Sequence, residues 1–530
     1  MMARKFESNG RSDALQVRPP IVPISGRTRL GGAARAAIAG HEVRQDGIMN
    51  RRQTLIGTAA FVVGGSLAST PLAARVAMPE QRPSTADLGR RQIERRAAEA
   101  VIWGMPVVNF DLMLQAMIGS TKGKANQILY WSRLPDWKNQ TLTPNPDVIY
   151  LMPFIDTRDV GPMVVEIPPA DGGSITGTIL DAWQVPLEDV GPAGVDKGRG
   201  GKYLVLPPGH SAPVPDGYIA LPSTTYQGYG LLRSILKSGN DADVAAAVAY
   251  ARRIKLYPLS QAANPPPTVL VDAIDVVFDA TIPYDQRFFR SLDRVVQAEP
   301  WLARDKAMID VLKSIGIEKG KPFNPNAKLE AMLAAGAREA HALLEGRYET
   351  VFPPYYDGRR WVVPSLPDYL KAARDGFSDA DAYPVDTRGL MFSFIFFTPK
   401  HPGTGQFYLL TVKDKDGRAL DGGSNYRLRV PADAPANQYW SATIYDRSSH
   451  ALIRHLPRSG RGSQSPGLQT NPDGTVDVYF GPKAPAGKGS NWVPTNPRGQ
   501  FEVLVRFYGP GRPLFDKSWK LPDIERIAAR

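Results

Sequence analysis

Proline and glycine cut residues 148–221 into apolar runs too short for helices, and that spacing constrains the fold more than any other feature of the chain. The runs are Val148–Ile155, Met163–Ile167, Ser174–Leu180, Lys202–Leu206 and Tyr218–Leu221. Each has the length and composition of a strand. Five short strands in so little chain predict a small β-sandwich. The texture returns after Thr387, where Gly389–Thr398 holds four phenylalanines. Strands are predicted at Gln406–Lys413, Tyr426–Val430, Gln438–Tyr445, Thr475–Phe480 and Phe501–Tyr508, as in an antiparallel jelly roll or sandwich.

Helical periodicity occupies the interval from Asn240 to Phe377. Helices are expected at Asp243–Leu256 (with Asp241 as cap), Pro283–Ala298, Ala303–Ile315, Ala327–Leu344 and Leu366–Ala373. One more is expected at 84–103, capped by Ser84 or Thr85 and ended by Gly104-Met105-Pro106. Ile93, Ala97, Ala100 and Val101 share its apolar face. The predicted class is mainly β with a helical insert. A helix plus small β-sandwich covers 84–238, a helical region covers 239–380, and a C-terminal jelly-roll-like antiparallel β domain covers 387–525. The 48 prolines and 49 glycines fit many turns and short strands.

Upstream lies a different signal. Arg51-Arg52 precedes the apolar stretch 55–68, diluted by Gly57, Gly64, Gly65 and Ser66 and followed by the small-residue tail 69–74. This pattern resembles a twin-arginine export signal over 49–77, with cleavage after Ala68, Ala74 or Ala77. The stretch falls short of the roughly 20 strongly apolar residues of a membrane span. The alternative is a membrane anchor left by an uncleaved signal. Residues 1–48 are polar and basic without a periodic face, and read as a disordered, mis-called extension ahead of a start at Met49. The expected location is the periplasm or beyond, reached through the twin-arginine machinery.

Composition narrows the chemistry. With no cysteine, disulfides, thiolate nucleophiles, iron–sulfur clusters and Cys-based zinc sites are excluded. Of 64 basic and 52 acidic residues, the first 77 positions hold 11 and 4, so the remainder carries 53 and 48, a net +5. That balance, without a basic stripe interleaved with aromatics, gives no reason to expect nucleic acid. No G-x-S-x-G, Walker A, G-x-G-x-x-G or H-E-x-x-H motif is present. The histidines after the leader are His210, His341, His401, His450 and His455. The last two are placed on opposite faces of a strand, which makes no metal pair; the spacing names no metal ligands, and a metal site built by distant residues is the alternative. Many twin-arginine substrates carry a cofactor, but no residue pattern here names one.

Two regions carry candidate chemistry. In Thr143-Pro144-Asn145-Pro146-Asp147-Val148-Ile149-Tyr150, Asn and Asp between prolines make rigid turns, and an Asp so held can serve as a general base or acceptor. The alternative is a strand-entry turn in which Asn145 and Asp147 only cap. In Leu180-Asp181-Ala182-Trp183-Gln184 a carboxylate sits beside an indole, a pairing suited to polyol recognition or to a core tryptophan. Trp440, Tyr445, Asp446 and Arg447 repeat that flavour, as do Trp492 and Arg506-Phe507-Tyr508. The catalytic candidates are Asp147, Asp181, Tyr150 and Asp446, with Asp147 and Asp181 as a trial carboxylate pair. The binding candidates are Asn145, Trp183, Tyr445, Trp492 and Arg506. For Arg506 a structural pair with Asp446 is the plainer reading.

Taken in order, these segments resemble the paired domain-of-unknown-function families twelve-fifty-four and twelve-fourteen. The N-terminal likeness rests on Thr143-x-Asn145-x-Asp147-x-x-Tyr150 and on Gly201–Gly209. The C-terminal one rests on Tyr439–Asp446, Asn471-x-Asp473-Gly474-Thr475-Val476, Asn491-Trp492-x-Pro494, Arg506-x-Tyr508-x-Pro510 and Trp519-x-x-Pro522. The resemblance implies a small N-terminal sandwich, a helical region and a C-terminal jelly roll. It implies no general reaction. The residues themselves suggest a hydrolase or lyase acting on a carbohydrate-like or other small oxygenated compound. A non-catalytic ligand-binding or assembly protein is the alternative, and a homo-oligomer remains open.

Overall fold

The computed structural model describes residues 82–395, 399–401 and 405–528. The extension and export signal expected at 1–77 lie outside them. Residues 81–530 form one compact unit.

Its axis is helix α1 (Thr85–Ala116), capped where the Ser84 hydroxyl accepts from the Asp87 N–H. The expected stop at Gly104-Met105-Pro106 does not occur; the helix continues to Ala116 and a wider turn at Met117–Thr121. The reason is packing. From Ala100 to Phe110 every residue is buried, and that burial outweighs the proline penalty of about 3 kcal/mol. By length and composition this segment could also cross a membrane, but 83% of its apolar window is buried inside the fold. It packs against α3 (Arg287–Ala298), α4 (Met308–Ser314), α5 (Ala327–Tyr348) and α7 (Val385–Phe394). Of the remaining helices, α2 (Asp241–Ala251) packs on the β-strands instead, and α6 (Pro367–Arg374) adds Tyr369 and Ala373 to the core shared with α1.

Against α1 lies a six-stranded sheet in the order β11 (Leu270–Asp272), β1 (Gln127–Tyr130), β3 (Ile149–Asp156), β9 (Gln227–Ser234), β5 (Ile175–Asp181), β6 (Pro186–Val190). Its second face meets a four-stranded sheet of β10 (Lys255–Pro258), β4 (Met163–Ile167), β7 (Gly201–Leu206) and β8 (Tyr218–Pro222). The central sheet is therefore covered on both faces, and seven of the eight residues of β3 are buried. Met152 and Phe154 share a core with α1, while Leu151 and Ile155 pack toward the second sheet. A two-stranded ribbon, β2 (Asn139–Gln140) with β12 (Phe278–Asp279), closes one end. The helix expected at Asp243–Leu256 is capped by Asn240 rather than Asp241 and ends at Ala251. The residues after it form β10 because Leu256 pairs with Val165 in the second sheet, a tertiary partner invisible to local periodicity.

The C-terminal part is a sandwich of two mostly antiparallel sheets. One runs β13 (Gln406–Thr411), β19 (Phe501–Pro510), β15 (Ala436–Asp446), β16 (Gly460–Gly462). The other runs β18 (Trp492–Pro494), β17 (Val476–Gly481), β14 (Asn425–Val430), β20 (Glu525–Ile527). Trp440, Ala442 and Ile444 of β15 face the sandwich core with Val503, Val505 and Phe507 of β19. Strand alternation sends Tyr439, Ser441, Thr443 and Tyr445 to the opposite face, with Glu502, Leu504, Arg506 and Tyr508. That face is polar, yet these residues are buried, because the N-terminal sandwich and the helices cover it.

Candidate functional site at the meeting of the two β domains

The loop 143–147 seats on that polar face. Thr143 adopts φ 37°, and its N–H donates to the His450 carbonyl at 2.6 Å. Asn145 is the hub. Its side-chain oxygen accepts from the Asp147 N–H at 3.0 Å, the Asx turn expected of this stretch. Its amide nitrogen donates to the hydroxyls of Tyr508 at 2.7 Å and Tyr439 at 3.2 Å. Those two rings stack 4.4 Å apart. The Asn145 N–H donates to the Tyr150 hydroxyl at 2.8 Å, and the Tyr445 hydroxyl donates to the Pro144 carbonyl at 2.7 Å. Arg506 donates to the Thr143 carbonyl at 2.8 Å, the Tyr445 hydroxyl at 2.6 Å and the Thr443 hydroxyl at 3.2 Å. Loop and sheet thus satisfy most of each other's polar groups in a buried seam, the Ser441 hydroxyl being left without a partner among the described residues.

Two hollows flank the loop. The inner one, about 30 Å³, is lined by Tyr150, Arg233, Tyr408, Arg506 and neighbours. It has room for about two water molecules, too little for an organic substrate. The outer cleft is about 320 Å³, at the lower end of small-molecule sites. Asp147, Tyr439, Ser441, Trp137, Arg458, Arg461 and Gln464 line it, so both β domains contribute walls. At its end Gln464 donates to the Lys237 carbonyl at 2.9 Å. Burial raises the Asp147 carboxyl above its ordinary value, while the adjacent Ser441 hydroxyl and the Arg506 charge oppose that shift. A larger surface groove of about 580 Å³ around Tyr355, Leu370 and Lys517 is lined by no carboxylate.

The candidates read from sequence separate into two groups. Asn145, Asp147, Tyr150, Tyr445 and Arg506 meet at this seam. Asp181, Trp183, Asp446 and Trp492 do not. Asp181 sits at the end of β5, accepting from the Val185 N–H at 2.9 Å and the Thr224 hydroxyl at 2.8 Å, so its carboxylate braces a turn. It lines neither hollow, and the trial pair of Asp147 and Asp181 does not form one site. Trp183 is a core residue, its ring 4.7 Å from that of Trp103. Trp492 belongs to β18 of the far sheet and donates to the Gly481 carbonyl at 2.9 Å. The expected Asp446–Arg506 pair is also absent. Asp446 accepts from the Ser448 N–H and hydroxyl at 2.9 and 2.5 Å, and strand alternation turns it away from the face that holds Arg506.

One cluster escaped the sequence reading. His450 and His455 lie in the turn after β15, both with positive φ, not on a strand. The His450 ring sits between carboxylates, with Nδ1 3.0 Å from Glu502 and Nε2 3.1 Å from Glu345. The Tyr348 hydroxyl donates to Glu502 at 2.7 Å, and Arg447 pairs with Glu345 and Glu349. The two carboxylates push the His450 pKa up to about 9 despite its burial. Among the described residues no group of three or more His, Asp or Glu is arranged to hold a metal ion.

The comparisons with known proteins divide the chain along this same seam. Residues 125–258 match the family described as a protein of unknown function, DUF1254, and residues 405–512 match a second so described, DUF1214. The two matches stand in that order along the chain. Asn145, Asp147 and Tyr150 fall in the first match, and Tyr439, Ser441, Tyr445 and Arg506 in the second. No curated protein matches the chain. Among solved structures it is similar to the VPA0106 protein from Vibrio parahaemolyticus, with TM-score 0.50 and 18% identity, over 82% of this chain and all of that one. It also matches an uncharacterised protein from Burkholderia cenocepacia with TM-score 0.39 and 12% identity, over 83% of this chain and 96% of that one. The first likeness concerns the fold alone.

Proposed function

We propose that this is an exported enzyme, a hydrolase or lyase, that acts on a small oxygenated molecule in the outer cleft by proton transfer at Asp147. One observation carries the reading. Asp147 is a half-buried carboxyl whose backbone N–H is held by an Asx turn, next to Ser441 in the lining of a cleft walled by two domains. A carboxyl pushed toward its neutral form is suited to donate a proton to a departing oxygen. In hydrolysis the attacking water returns that proton to the carboxylate; in elimination the proton comes from substrate carbon. Ser441 lies beside the carboxyl, and Asn145 and Arg506 hold the loop rather than touch substrate. A carbohydrate chain suits the cleft less well, since Trp183 and Trp492 offer it no wall and Asp181 no second acid. The Arg51-Arg52 signal supports export to the periplasm.

The test is turnover of a panel of small hydroxy acids, esters and lactones by the wild-type protein and by Asp147→Asn. Loss of about 100-fold or more in kcat, with the melting temperature nearly unchanged, is expected. Undiminished turnover in that variant overturns the assignment. A non-catalytic binding role is the second reading, favoured by the Trp137 ring on the cleft wall. Ligand affinity without turnover in the wild type would select it.

A further inference from the structure

The outer cleft carries positive charge that no carboxylate among the described residues pairs with. Arg461 lies on β16 and lines the cleft. Its Nε is shielded from solvent and has no acceptor. Among the described residues no carboxylate lies within ion-pair distance of Arg461 or Arg458. The single hydrogen bond of Arg458 goes to the Gly489 carbonyl at 3.1 Å. Two acidic residues share the cleft, and neither offsets this charge. Asp136 is occupied by the N–H and ammonium of Lys138, at 2.8 and 3.3 Å. Asp147 is half-buried beside Ser441, and Arg506, not Arg461, is the cation that acts on it. A shielded guanidinium N–H without an acceptor carries an uncompensated desolvation cost, which an incoming anion removes.

The rest of the lining defines what the anion is attached to. Trp137, Leu236, Ile453 and Leu456 give the cleft an apolar side. The Trp137 ring is held 4.2 Å from that of His455, which fixes its plane. The geometry points to a small organic carboxylate with an apolar body, an aromatic or branched aliphatic acid. Its carboxylate is received by Arg461 and Arg458, and its body lies on Trp137 and Leu456. A planar carboxylate matches the guanidinium fork with two parallel hydrogen bonds. The inference deepens the reading of the cleft as a substrate site, on which it rests, and adds the substrate class. Arg461 is then the residue that selects acids over their neutral analogues.

Binding to the full chain is measured by calorimetry and thermal shift with four probes: phenylacetate, 3-methylbutanoate, phenylacetamide and phenyl phosphate. Wild type is expected to bind the two acids and to bind phenylacetamide at least tenfold more weakly. Arg461→Gln is expected to lose at least tenfold in affinity for the acids without a change in melting temperature, since the Arg461 side chain donates no hydrogen bond among the described residues. Arg458→Gln is expected to lose less, and Asp147→Asn to retain acid binding. Equal affinity for acid and amide, or an unchanged affinity in Arg461→Gln, overturns the proposal, as does tighter binding of phenyl phosphate than of phenylacetate. Acid binding that depends on Arg461, in a protein that turns over none of the panel substrates, removes the catalytic reading and leaves this one standing.

Discussion

A histidine enclosed by two carboxylates keeps its proton well past neutrality, and His450 ties that proton to the stability of the molecule. The groups that face it are Glu345, Glu502, Arg447, Tyr348 and His341. Its pKa rises from 6.5 to about 9 on folding. A folded-state value above the unfolded one gives stability that is complete below about pH 6.5 and is lost as pH climbs through about 9. Urea melts between pH 6 and 10 are expected to show a loss on the order of 2–3 kcal/mol on the alkaline side. His450→Gln is expected to be weaker at pH 6.5 and to lack that decline; parallel curves for the two proteins would refute the assignment. A second pH effect concerns activity. Because burial raises the Asp147 carboxyl, turnover that needs its acid form is expected to fall as pH rises through a value above the ordinary carboxylate range. That descending limb in kcat/KM against pH is absent if Asp147 is not the acid. Asn145 and Asp147 were legible in sequence because an Asx turn between prolines is a local device. The partners of His450 lie 105 and 52 residues away, and no local spacing announces them.

The strands followed their apolar runs closely, since alternation and turn residues act over a few neighbours. Met163–Ile167 has the bounds its sequence suggested, and the other nine expected strands shift by a few residues at most. Helix α1 departs further, because what continues it past Pro106 is the surface of other helices. Two of those contacts depend on glycine. A Cβ at Gly336 of α5 would lie 2.5 Å from both the Glu94 carbonyl and the Ala97 methyl of α1. A Cβ at Gly389 of α7 would lie 2.5 Å from the Ile102 carbonyl. These are backbone approaches that no rotamer change relieves. Gly336→Ala and Gly389→Ala are each expected to cost about 1–3 kcal/mol, read as a lowered midpoint in chemical melts. Gly346→Ala, on the same α5 but with open space around it, is the control. It is expected to be neutral or to stabilise by up to about 1 kcal/mol through helix propensity. Equal effects at positions 336 and 346 would mean that propensity rather than close approach decides.

At the scale of the molecule, the puzzle is a C-terminal sheet that buries a polar face. Tyr439, Ser441, Thr443, Tyr445, Arg506 and Tyr508 alternate along two strands where a free-standing sandwich would meet water. The alternation was visible in sequence, but it reads equally as a solvent face, and only the covering domain tells them apart. Arg506 decides how strongly the two halves are coupled. It is 2% exposed, and its hydrogen bonds reach the Thr143 carbonyl on one side and Thr443 and Tyr445 on the other. Arg506→Lys keeps the charge but offers a single, shorter-reaching nitrogen, so the Thr143 carbonyl and Tyr445 hydroxyl, which share Nη2, and the Thr443 hydroxyl on Nη1 cannot all be served. Groups left without partners in a seam this buried cost about 1–3 kcal/mol each. If the seam makes residues 81–530 one cooperative unit, calorimetry of the wild type shows a single transition. Arg506→Lys then lowers its midpoint and, as coupling weakens, separates a C-terminal from an N-terminal event. Thr443→Ala leaves the bond across the seam intact and should lower the midpoint without dividing the transition. A division of equal size in both variants would place the coupling in the shared apolar core around α1, with Arg506 only a local brace.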